Sequence, residues 1–390
     1  MRRDEKLSIL SYSLFAVTLA HMLTHVLQRV HIALFPIIRE EYRLSLRELG
    51  LMASIPPLIQ AFLTLPMGFL ADRFGSKRMI LLNLSIAALG SLLAWRSMNP
   101  WMLVAAVSLV YMNSAIYHPA AYSLVSKLFS PRDRPKALGI QGAGGTLGLS
   151  LGPISAGLLM ALLPITWRGV YLFWLIPILV GIISILPIRY EPKLDVGEEL
   201  EEVEEASSML SLSFILFLLF VSLRTMGGQM IASFITLYLV DVRQLSQAVS
   251  SIVYGASSLV GIFAAPLGGF LASRFGEKRW LLLTLSGAYI SIALAAVAPT
   301  PLIFTPLYIL YGFLTTLGMP ANSSIIARLS PSSHRGLAYS LLFLPPSVMG
   351  ALSPTLASLI AEVYGLPAIF PLSLIISAVG LAILKFSVKV

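Results

Sequence analysis

The chain has 390 residues, of which 57% are hydrophobic and 12% charged. Soluble proteins carry about 25% charged residues, so the solvent for most of this chain must be a bilayer. The net charge of +9 does not indicate nucleic acid, because the basic residues sit in short loops between apolar runs, and the absence of cysteine excludes disulfides and thiolate metal sites.

The N-terminal Met1–Lys6 precedes an apolar run longer than the core of a signal peptide. It reads as a first transmembrane helix carrying His21, His25 and Arg29. Twelve spans are expected, near 8–36, 46–71, 79–98, 101–128, 136–163 and 169–188, then 209–240, 246–272, 280–299, 302–328, 335–363 and 366–387. Each can cross a hydrocarbon core of about 30 Å. Pro56-Pro57, Pro153, Pro266 and Pro345-Pro346 are expected kink sites. If both termini share one side, that side collects 19 of the 27 Lys and Arg residues, and Arg29 and Arg224 fall within spans. The bias places the termini in the cytoplasm and the chain in the cytoplasmic (inner) membrane. The segment 189–208 carries eight acids and reads as a solvated cytoplasmic linker between six-helix halves, 1–188 and 209–390.

The second span ends in Gly68-Phe-Leu-Ala-Asp-Arg-Phe-Gly-Ser-Lys-Arg78. The same pattern returns 201 residues later as Gly269-Phe-Leu-Ala-Ser-Arg-Phe-Gly-Glu-Lys-Arg279, identical at nine of eleven positions. Such a repeat marks a duplicated membrane protein. Gly68 permits close helix approach and Gly75 a tight turn, while Asp72 can accept from arginines and helix N-termini. Arg73, Arg78, Gly269, Arg274, Gly276, Arg279 and Arg335 complete a candidate gating set. Ser273 replaces the acid in the second copy, so a lock there should be weaker. In the fifth span, Gly148, Gly152, Pro153 and Gly157 give a small-residue face for tight packing.

No carboxylate falls in the middle of a span, so the intramembrane ionisable groups are basic or titratable. His21, His25 and Arg29, spaced i, i+4, i+8, should share one helix face. His118 lies in the fourth span and Arg224 in the seventh, and Gln28 and Gln229 are related by the repeat offset of 201. A mid-bilayer arginine facing lipid would cost at least about 2.5 kcal/mol. The two arginines therefore either await an anion, whose carboxylate or phosphate oxygens match the guanidinium fork, or are neutralised by backbone carbonyls. His21, His25 and His118 can carry a proton or serve only in packing. His21 and His25 have the spacing of a metal-ligand pair, but with no acid or thiolate to complete the shell no metal or other cofactor is expected. No span supplies a Ser/Lys, paired-Asp or metal-glutamate constellation, so an enzyme is not expected.

The paired loop motif, the six-plus-six layout and the central linker together resemble the major facilitator superfamily across essentially the whole chain. That resemblance implies an all-α membrane protein of two pseudo-symmetric six-helix bundles. It also implies that the Asp72 loop locks the cytoplasmic face when the transporter is outward-open. The fifth-span glycines look like the antiporter motif frequent in drug exporters. Within the superfamily the chain resembles the fosmidomycin-resistance exporters. His21 stands fifteen residues before Pro36, Arg39-Glu-Glu41 follows, Tyr117-His118-Pro119 lies in span 4, and span 5 is glycine-rich from Gly139 to Gly157. His25 departs from that branch, where the resemblance implies an acid, so carboxylate-based proton coupling is not expected. The Arg29 and Arg224 placement is similar to that in organophosphate exchangers of the superfamily. The expectation is an alternating-access secondary transporter, proton-coupled and exporting a small anionic or zwitterionic molecule. His21, His25, Gln28, Arg29, Asn113, His118, Arg224 and Gln229 are its substrate-site candidates, and His21, His25 and His118 its proton carriers. Organic-anion uptake or organophosphate exchange is the alternative, and a non-transporting receptor the remote one. The expected partners are a small-molecule substrate, protons and the lipid bilayer, with the chain a monomer and no nucleic acid bound.

Overall fold

In the computed structural model, residues 11–130, 132–188, 212–329 and 335–388 are described. The expected linker over 189–208 lies outside them, as do the side chains of Gly68, Asp72 and Arg335. Every regular element among the described residues is helical. In chain order these are α1 (Tyr12–Val26), α2 (Val30–Ala33), α3 (Phe35–Tyr42), α4 (Leu46–Phe74), α5 (Ser76–Trp95), α6 (Pro100–Leu128), α7 (Arg134–Leu162) and α8 (Trp167–Ile185). After the linker come α9 (Leu212–Asp241), α10 (Gln247–Leu259), α11 (Gly261–Phe275), α12 (Glu277–Ala296), α13 (Pro301–Leu317), α14 (Met319–Leu329), α15 (Arg335–Tyr364) and α16 (Ile369–Phe386). Ten helical stretches among the described residues are long and apolar enough to cross a membrane.

The repeat is visible in the backbone. Gly75 and Gly276, 201 residues apart, both adopt a φ of 84° at the start of α5 and α12. That conformation is strained for any residue with a Cβ. Two residues further, the motif lysines repeat a contact as well. Lys77 donates to the carbonyl of Leu186 at 2.6 Å, and Lys278 to that of Val388 at 2.5 Å. Each lysine thus satisfies a carbonyl at the end of the last helix of its own half.

The first span differs from expectation. It is not one helix over 8–36 but three pieces, broken at residues 27–29 and at Leu34, and it extends to Tyr42. Arg29 therefore follows the break as the N-cap of α2 instead of continuing the His21–His25 face. Pro36 supplies part of the reason. It has no N–H to offer the carbonyl of Ile32, and Thr236 of α9 donates to that oxygen instead at 2.6 Å. Gln247 and Ser251 of α10 donate to the neighbouring Ala33 carbonyl at 2.5 and 3.1 Å. In α9, the counterpart of this span, the helix is unbroken, so the duplication is not obeyed here.

The helices before residue 188 meet those after 212 along two seams, where α4 packs against α15 and α7 against α10. Small residues set the spacing. A Cβ on Gly50 would strike Ser358, and one on Gly255 would strike Ile154 and the carbonyl of Ser150. The fifth-span glycines divide their work. Gly148 and Gly152 lie against the Met22 and Val26 carbonyls of α1, and Gly157 against the Ala248 carbonyl of α10.

Candidate functional site

Two adjoining cavities of about 450 Å³ each lie between the halves. Both are lined by Arg29, Leu149, Arg224, Thr225, Gln229 and Met319. The first adds Tyr254, Tyr289, Tyr308 and Tyr311. The second adds Gln28, Gln60, Thr64, Asn322 and Ser323, and so runs along α4 and α14 toward the face of the basic loops. No Asp or Glu lines either cavity among the described residues.

Arg29 comes from the break between α1 and α2. Its Nη1 donates to Ser258 Oγ across the seam at 2.5 Å, and its guanidinium lies 5.6 Å from the ring centre of Tyr254. Arg224 comes from the middle of α9. Its Nη1 is buried without a hydrogen-bond partner among the described residues. A buried guanidinium nitrogen left unpaired is costly, and an anion in the cavity would offset that cost.

The expected polar set therefore splits. Gln28, Arg29, Arg224 and Gln229 come together at the cavity, joined by Tyr254, Tyr311 and Asn322. Asn113 does not line it. Its buried amide has no described partner, and its carbonyl accepts from Asn83 at 2.7 Å inside the first half. His21, His25 and His118 also stay out of the cavity lining and form a separate cluster. Their ring centres lie 4.9 to 5.3 Å apart. His21 Nδ1 meets the Gln141 carbonyl at 2.6 Å, and His25 Nδ1 meets Gln28 Oε1 at 2.6 Å. Ligand nitrogens of all three lie within 4.8 Å of one another, so this is where the described residues could hold a metal ion.

Sequence reasoning missed Ser258, Tyr289 and Tyr308, which carry no signal beyond being polar in a span. It also missed the rim of the opposite face. Arg39 pairs with Asp241 at 2.7 Å and Arg47 pairs with Glu362, both between halves. Ser54 and Thr355 share a 2.8 Å hydrogen bond just beneath. A recess of about 590 Å³ beside Arg39 and Asp241 belongs to this rim, away from Arg29 and Arg224. The bonds tying the halves thus run from mid-depth to the opposite face, while the cavity extends toward the basic loops.

Within the first half, α3 is anchored to α8. Glu41 accepts from Arg168 at 2.6 and 3.1 Å and from Trp167 Nε1 at 2.6 Å. The Arg168 guanidinium beside it, aided by Trp167, holds the Glu41 carboxyl below the usual carboxylate range.

The sequence matches the model of the Major Facilitator Superfamily over residues 17–313 and again over 217–390. Among curated proteins it is 24% identical over 358 residues to the riboflavin transporter RibZ of Clostridioides difficile (strain 630), covering 77% of each chain. It is 26% identical to the multidrug resistance protein MdtG of Salmonella paratyphi B (strain ATCC BAA-1250 / SPB7), covering 82% of this chain and 80% of that one. It is 25% identical to the fosmidomycin resistance protein of Escherichia coli (strain K12), over only 37% of this chain and 36% of that one. The fold superposes with a TM-score of 0.81 on a bacterial homologue of the human lysosomal transporter Spinster in an inward-facing, occupied conformation. That likeness covers 96% of both chains at 18% identity, and so concerns the fold alone.

Proposed function

The chain belongs to the major facilitator superfamily, and from that premise we propose that it is an alternating-access exporter of a small organic anion. Two six-helix bundles, 1–188 and 209–390, rock about the cavity, with twelve spans and cytoplasmic termini in the inner membrane. The observation that carries the substrate class is the enclosed, unpaired Nη1 of half-buried Arg224, facing the same cavity as Arg29, which no Asp or Glu among the described residues lines. A carboxylate or phosphate would take both guanidinium forks. The four tyrosines of the first cavity suit an aromatic or otherwise flat body. Export is supported by the likeness to two resistance proteins, MdtG and the fosmidomycin protein. Coupling to protons belongs to the same reading, and an outward-driven flux under an imposed pH gradient in proteoliposomes tests it.

The loop around Asp72, with Arg73, Gly75 and Arg78 and its second copy, would act at the basic-loop face. The ion pairs of Arg39 and Arg47 would hold the opposite face closed. The riboflavin transporter RibZ, matched over most of its length, supports a second reading: transport of a flat aromatic solute, for which the arginines would matter less than the tyrosines. A thermal-shift screen of purified protein against aromatic carboxylates, organophosphates and neutral flavins tests the anion reading. Stabilisation by anions that disappears in Arg224→Ala is expected. Stabilisation by neutral flavins alone, unchanged in that variant, would reject the anion.

A further inference from the structure

We propose that His21, His25 and His118, none of which lines the substrate cavity, form a binding site for a divalent transition-metal ion of the zinc class within the first half. The sequence offered only an i, i+4 pair without a third ligand. The fold brings the third from α6, and all three ligand nitrogens lie within 4.8 Å of one another.

The geometry fits a metal in three respects. A tetrahedral centre about 2.0–2.1 Å from each nitrogen spaces the nitrogens about 3.3 Å apart and the ring centres about 5.2 Å apart. The observed ring separations are 4.9, 5.2 and 5.3 Å, so small side-chain rotations close the shell. Next, the Nδ1 atoms of His21 and His25 are each 2.6 Å from an oxygen. An imidazole donating Nδ1–H to an oxygen presents its Nε2 lone pair on the other side, the arrangement that outer-shell partners impose on metal-bound histidine. Lastly, the site is built to admit the ring. Gly145 faces His21 closely enough that a Cβ there would lie 2.6 Å from its Cε1 and Nε2.

Chemistry narrows the ion. Three neutral imidazoles with no carboxylate suit zinc, cobalt, nickel or copper and not magnesium or calcium, which require oxygen. The Arg29 guanidinium, whose charge opposes a cation, is bonded to Ser258 of the other half and so turned from the cluster. A fourth position is left for water or an anion. Because α1 and α6 belong to the same half, the ion would travel with that half during rocking. Its effect should therefore be to clasp α1 to α6, not to gate the seam.

The test uses full-length purified protein with any affinity tag removed, and Co²⁺ and Zn²⁺ as probes. One Co²⁺ per chain with the visible absorption of tetrahedral coordination is expected, displaced by Zn²⁺. The Zn²⁺-dependent rise in melting temperature should grow with the logarithm of concentration. His118→Gln should weaken binding at least about tenfold, and Gln28→Leu, which removes the outer-shell partner of His25 together with a residue of the cavity lining, about 10- to 100-fold. His31→Gln, outside the cluster, should bind as wild type. Retention of Co²⁺ by His118→Gln with an unchanged spectrum would overturn the site. So would failure of wild type to bind while its transport loses pH dependence in His118→Gln, since the cluster would then be a proton carrier. Neither result depends on whether the substrate is an anion.

Discussion

At the residue scale, the decisive feature is a cation without a counter-charge. Arg224 is half-buried with its Nη1 enclosed and unpaired, and no Asp or Glu among the described residues lines the cavity it faces. Leaving a buried polar donor unsatisfied costs about 1–3 kcal/mol. Arg224→Met should therefore raise the stability of the ligand-free protein by about that amount while abolishing stabilisation by anions. Thermal unfolding with and without ligand reads both. A loss of stability without ligand would mean that the charge is already compensated. Glu41 shows the opposite case, a carboxylate well supplied with donors. Its pKa is lowered in the folded state by Arg168. The sign follows directly: the stabilisation is present above the unfolded value of about 4.3 and is lost as pH falls through the lower folded value. Glu41→Gln should lower the melting temperature at pH 7 and converge with wild type at strongly acidic pH. A deficit that persists unchanged in acid would show that packing, not charge, is at stake. Sequence reading identified Arg224 by its position in an apolar run. It could not identify Glu41, because an acid at a span end looks the same whether paired or solvated.

At the element scale, the broken first span and the glycine-faced fifth span do the positioning. Breaking the helix at residues 27–29 turns Arg29 toward Ser258. Further along, Pro36 leaves the Ile32 carbonyl to Thr236. Thr236→Val should destabilise the closed opposite face by about 0.5–1.5 kcal/mol, the net worth of one hydrogen bond. Packing weighs more than that. Gly255 touches Ile154 and the Ser150 carbonyl across the α7–α10 seam, and overpacking costs about 1–3 kcal/mol. Gly255→Leu should thus act as a wedge, shifting spin-label distances across the opposite face toward separation. An unchanged distance distribution would remove α7–α10 from the closing surface. The fifth-span glycines were legible as a small-residue face. Which neighbour each meets was not, since Gly152 packs on α1 and Gly157 on α10 only because of where the helices lie.

At the scale of the whole molecule, the question is what holds one face shut while the cavity reaches toward the other. Arg39–Asp241 and Arg47–Glu362 bridge the halves at the rim, but their side chains are about one-third or more exposed. Such pairs are worth about 0.2–1 kcal/mol each. Arg39→Asp should therefore shift the population by about fivefold or less, and the exchanged pair Arg39→Asp with Asp241→Arg should restore it. Distance measurements across that face check this, and failure of the exchanged pair to recover would assign the rim bond no role in closure. Two weak ion pairs with a line of small-residue contacts would let that face close without being trapped, as the proposed alternating access requires.

Composition and repetition alone determined that this chain lives in a bilayer, that its two halves are copies, and where the basic glycine turns fall. The two copies adopt the same positive φ at Gly75 and Gly276. These are properties of apolar run length and local backbone geometry, and both are written along one dimension. Only the tertiary structure decided that Arg29 and Arg224 face one cavity, that His118 joins His21 and His25, and that Ile32 and Ala33 receive donors from the other half. Those relations join side chains roughly 90 to 220 residues apart. In a bilayer nearly every helix is apolar all round, so hydropathy does not indicate which face a helix turns toward which neighbour.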